Sequence, residues 1–82
     1  MTPEDKKRAN SLLVSLLFAG GASQARTLRT DLESVHGMAV TLDRVRQDLA
    51  WLADVGLVQR INDTVALTEE GRETAGGLRQ LP

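Results

Sequence analysis

The chain has 82 residues, 41% apolar and 26% charged, with a formal net charge of -1. That size holds one domain around one compact core, and the composition excludes a disordered chain. It has no cysteine, which excludes disulfides, thiolate metal sites, iron–sulfur clusters and cysteine nucleophiles.

Taken in chain order, the first helix opens at Thr2, a capping hydroxyl, with Pro3 at the first helical position and Glu4 and Asp5 suited to the positive end of the dipole. Ala9, Leu12, Leu13, Leu16 and Leu17 recur at helical spacing, and Gly20-Gly21 stops the run. The second helix is expected to start after Ser23, with Ala25, Leu28, Leu32 and Val35 forming one apolar stripe and Gly37 a left-handed cap. After a turn of about four residues, Thr41 caps a third helix whose stripe is Leu42, Val45, Leu49 and Leu52, ending at Gly56. The period then changes. Leu57 to Ile61 and Thr64 to Thr68 read as two strands joined by the turn Asn62-Asp63. Thr68 caps a short helix from Glu69 to Ala75, which Gly76-Gly77 breaks. Residues 1–77 form the domain and residues 78–82 a tail expected to be mobile.

A tight turn between two helices, followed by a hairpin that must rest on them, predicts a winged helix-turn-helix. The expected fold is mainly α with a small β-hairpin (α+β): three helices, a two-stranded wing and a short C-terminal helix. The run from Val45 to Val58 resembles the recognition helix and first wing strand of bacterial winged-helix regulators. Leu67-Thr68-Glu69-Glu70-Gly71 is similar to the Leu-Thr-x-x-Gly step with which many such wings pass into the next helix. More narrowly, DRVRQDLAWLADVGLV followed by VALTEEGRETAGG resembles small proteins encoded by Mu-like phages and prophages, over about residues 11–77. That resemblance implies a fold and a genetic setting, not an activity.

The charge pattern works against a strong nucleic-acid binder. Ten Lys and Arg face eleven Asp and Glu, spread along the chain without a basic block. On the third helix Arg44 is placed to bond a guanine edge and Gln47 an adenine edge, with Thr41 and Arg46 at phosphates. Asp43 and Asp48 oppose that use by repulsion. Arg26 and Arg29, near the start of the second helix, are further candidates for the DNA backbone, although Arg29 can instead pair with Glu33 at i, i+4. Arg60 is the only cation of the hairpin. Trp51 lies opposite the main stripe of its helix, either half-buried against the hairpin or first helix, or an aromatic anchor for a partner. Lys6-Lys7-Arg8 reads as a solvated charge run, and His36 as a lone histidine without companion ligands.

No phosphate loop, triad arrangement or metal-ligand set is present, and a fold this small is expected to offer little concave volume. The reading is therefore non-enzymatic, with no cofactor and no small-molecule substrate. It expects a phage or prophage transcription regulator that binds double-stranded DNA as a homodimer. The alternative is a protein–protein interaction module in phage development or assembly that does not bind DNA. Met1 to Asn10 is charged and no run approaches about 20 apolar residues, so a cytoplasmic location without a membrane partner is expected.

Overall fold

The computed structural model describes residues 1–82. Helix α1 spans Pro3–Phe18. The Thr2 hydroxyl accepts from the Asp5 amide at 3.1 Å, and the Asp5 carboxylate accepts from the Thr2 amide at 3.2 Å, a reciprocal capping box. The chain leaves α1 through Gly20 and Gly21, at φ of 90° and 104°, conformations that a side chain makes costly.

Strand β1, Ala22–Gln24, follows directly and pairs antiparallel with a strand some forty residues downstream. This corrects the expected two-stranded wing. A three-residue segment without a β-branched side chain carries no strand pattern of its own; its partner creates it. Helix α2 is Ala25–Ser34, so its start lies beyond Ser23, which belongs to the strand. Gln24 holds the N-cap position in extended backbone but makes no side-chain cap. At the other end, the Met38 amide reaches back to the Leu32 carbonyl at 2.8 Å around Gly37 at φ 68°, a left-handed turn that stops the chain from continuing the helix. Helix α3, Leu42–Asp54, is capped by Thr41, whose hydroxyl accepts from the Arg44 amide. Residues 35–41 therefore join α2 to α3, a longer connection than expected because α2 ends at Ser34.

Strands β2, Val58–Ile61, and β3, Thr64–Leu67, form the hairpin, with Asn62 at φ 56° in its turn. Each is one residue shorter than expected. Leu57 donates its amide back to the Leu52 carbonyl, and Thr68 leaves the strand to cap helix α4, Glu69–Ala75. The Thr68 hydroxyl accepts from the Gly71 amide at 3.1 Å and donates to the Gly56 carbonyl at 2.6 Å. It thereby ties the start of α4 to the end of α3.

The sheet order is β1-β3-β2, antiparallel throughout. Its inner face presents Val58, Val65 and Leu67 to the helices, with Arg60 opposite Val65 in register. α1 lies at the centre of the packing, against α2, α3, α4 and the sheet. Leu12, Leu13, Leu16, Leu28, Leu32, Val45 and Leu52 are wholly buried, each worth about 1.5–3 kcal/mol of transfer free energy. The last residues turn back on the body: the Leu78 amide donates to the Glu73 carbonyl, Arg79 pairs with Glu73, and Leu81 packs on the core.

Candidate nucleic-acid interface

Helix α3 carries most of the candidate residues, and its inward stripe fixes where they point. Leu49 and Leu52 are buried, whereas Arg44, Arg46 and Gln47 are exposed. At about 100° per residue, Arg44 and Arg46 leave opposite flanks of the helix, about 160° apart, with Asp43 and Gln47 between them. Each flank can face one wall of a groove while the middle faces its floor. Thr41 is exposed, and its oxygen is already occupied in capping α3; its hydroxyl proton stays available to donate.

Arg46 points toward the hairpin. There it meets Arg60 from β2 and Arg26 from the first turn of α2 around an open cleft of about 290 Å³. Three elements supply its cations, and Ala25, Leu49 and Val65 are its apolar lining. Gln24, Asn62 and one carboxylate, Asp63, complete the rim. The cleft arises because β1 delivers the start of α2 to the side of the hairpin, and β1 was not legible. None of the three arginines is in an ion pair; the paired ones are Arg8, Arg29 and Arg79.

Other candidates lie elsewhere. Arg29 pairs with Glu33 at 3.8 Å, outside the cleft. Arg44 and Gln47 stay on the convex face of α3, also outside it. Trp51 is half-buried and packs on the core.

Two buried polar contacts were missed. Asp48 is 8% exposed and is bound by Arg8 of α1, whose guanidinium also donates to Asp5 at 2.7 Å. Arg8 is therefore not part of a solvated patch, and Asp48 does not repel ligands from the exposed side of α3. The hydrogen bond to Asp48 is the main cause raising Arg8 above its ordinary value, helped by Asp5. Asp5 is pulled down to about 2, first by its hydrogen bond from Arg8 and then by the Thr2 backbone and hydroxyl. The second contact joins the buried Ser15 hydroxyl to His36 Nε2 at 3.0 Å, anchoring the connection after α2 to α1. A pairing over 21 positions has no periodic signal that could have found it.

No group of three His, Asp or Glu side chains is arranged to hold a metal ion, and no helix is long and apolar enough to cross a membrane. Comparison with protein-family models, curated proteins and solved structures finds no match.

Proposed function

We propose that the chain is a winged helix-turn-helix protein that binds double-stranded DNA and acts, as a homodimer, in transcription regulation of a phage or prophage. The element order α1-β1-α2-α3-β2-β3, with β2 packed beside α3, supports the reading, because it would let a recognition helix and a wing share one face. One observation carries the reading: four of the five exposed, unpaired guanidiniums, Arg26, Arg44, Arg46 and Arg60, belong to the start of α2, to α3 and to the hairpin, the fifth being Arg72 of α4, while Arg8 neutralises Asp48. Because Arg44 and Arg46 leave opposite flanks of α3, both would grip phosphate walls, Arg44 in place of the guanine edge expected for it, and Gln47 would read base edges between them. No catalysis enters this role.

Four arginines are a small footprint, and Asp43, Asp54 and Asp63 lie on the same elements. Two copies on adjacent half-sites double the contact set, and the second contact then forms at high effective concentration. The genetic setting rests on the likeness of Asp43 to Val58 and Val65 to Gly77 to the phage-encoded proteins.

The test is fluorescence anisotropy of a labelled mixed-sequence duplex over a salt series. Four phosphate contacts predict a slope of log K against log salt near about −3.6 per copy. Arg44→Ala should weaken binding and flatten the slope by about one contact. Absence of binding at low salt overturns the reading. A second reading, an interaction module of phage development or assembly, is favoured by Phe18, the chain's one phenylalanine, which is 86% exposed at the end of α1. It would replace the first if Phe18→Ser abolished self-association while the duplex never bound.

A further inference from the structure

The cleft between α2, α3 and the hairpin has two properties that a convex groove-reading helix does not need: a concave volume and an apolar floor. It measures about 290 Å³, and Leu49 and Val65, both nearly buried, show only their edges to it. Around that floor stand Arg26, Arg46 and Arg60, from a helix start, a mid-helix position and a strand. Only Asp63 offsets them on the rim, and no carboxylate forms an ion pair with any of the three. An arrangement that leaves three exposed forked donors unpaired around one concave space matches an anionic ligand.

We propose that this cleft binds a phosphate group held by Arg26, Arg46 and Arg60 together, with the sugar or base attached to that phosphate lying over Leu49 and Val65. A lone phosphate ion would leave most of the volume unfilled. The ligand chemistry is therefore that of a nucleotide unit, whether one unit of a DNA strand or a free mononucleotide. The site deepens the DNA reading by naming what is gripped beside the recognition helix, and it is separable from that reading. A free nucleotide in the cleft would compete with duplex for the same three arginines and so lower its affinity.

The full chain, labelled with nitrogen-15, is titrated in low salt with inorganic phosphate, with adenosine monophosphate, and with duplex. The proposal expects adenosine monophosphate to shift the signals of Arg26, Arg46, Arg60, Leu49 and Val65, and to bind at least about tenfold more tightly than inorganic phosphate. It also expects adenosine monophosphate to displace duplex. Arg46→Gln and Arg60→Gln should each weaken nucleotide binding about tenfold, with unchanged or raised urea midpoints. A structural role for these arginines would lower the midpoints. Equal affinity for phosphate and nucleotide, or shifts spread evenly over Lys6, Lys7 and Arg72, overturns the proposal. Duplex binding without movement of Arg26, Arg46 and Arg60 overturns the cleft and leaves the DNA reading standing. Nucleotide binding without duplex binding upholds the cleft and removes the DNA reading.

Discussion

Arg8 and Asp48 stand forty positions apart and meet across the contact between α1 and α3, with side chains 12% and 10% exposed. At that burial the pair is held by mutual satisfaction rather than by net attraction, since desolvation offsets most of the Coulomb gain. Removing one partner is the damaging change. Arg8→Met should cost about 3 kcal/mol in urea unfolding because it strands the Asp48 carboxylate, whereas Arg8→Met with Asp48→Leu should recover most of that loss. A double variant as unstable as the single one would show that packing, not charge, sets the cost. Asp5 adds a pH dependence. Its folded value, about 2, lies below its ordinary 3.8, so its stabilising contribution is complete above pH 3.8 and disappears as pH falls through about 2. The gap in urea midpoint between the wild type and Asp5→Asn should accordingly be widest above pH 4 and close toward pH 2. A gap that persists at pH 2 would contradict this origin. Neither partner of the buried pair was legible in the sequence: Asp48 sits on the edge of its helix stripe, where an acidic residue ordinarily meets solvent, and Arg8 sits in a charge run.

Among the elements, the step from β3 into α4 explains its own residues. Thr68 caps the helix, and the Gly71 backbone lies so close to the Leu57 carbonyl that a Cβ would drive into it. Gly71→Ala improves helix propensity by about 1 kcal/mol, but the carbonyl is backbone and cannot step aside. The net effect should be a loss of about 1–3 kcal/mol, read as a lower urea midpoint, while the exposed neighbour Glu70→Ala should change stability by less than about 0.5 kcal/mol. A stabilised Gly71→Ala would refute the close approach. The element-scale comparison with the sequence follows the same local logic. Helices α1, α3 and α4 announce themselves through Thr2, Thr41 and Thr68, each of which caps as its position suggests. β1 does not, because Ala22, Ser23 and Gln24 become a strand only through Ala66, Val65 and Thr64. That omission also concealed the cleft that the first turn of α2 lines.

For the molecule as a whole, net charge is a poor guide because it averages over partners. Three of the ten cations are spent in ion pairs with Asp5, Asp48, Glu33 and Glu73. Of the exposed guanidiniums left unpaired, Arg26, Arg44, Arg46 and Arg60 stand on the α2 start, α3 and the hairpin, beside Asp43, Asp54 and Asp63, and Arg72 stands apart on α4. The individual arginines were legible from helix spacing and from the hairpin. Their division into three around a cleft and one on the far flank of α3 was not, because it depends on strand order. The most direct measurement is the map of backbone amide shifts as unlabelled duplex is added to the labelled chain in low salt. The account predicts the largest changes at Arg26, Arg44, Arg46, Gln47 and Arg60, reversed by added salt. Changes centred on Phe18 and Val35 instead, or none at all, would contradict it.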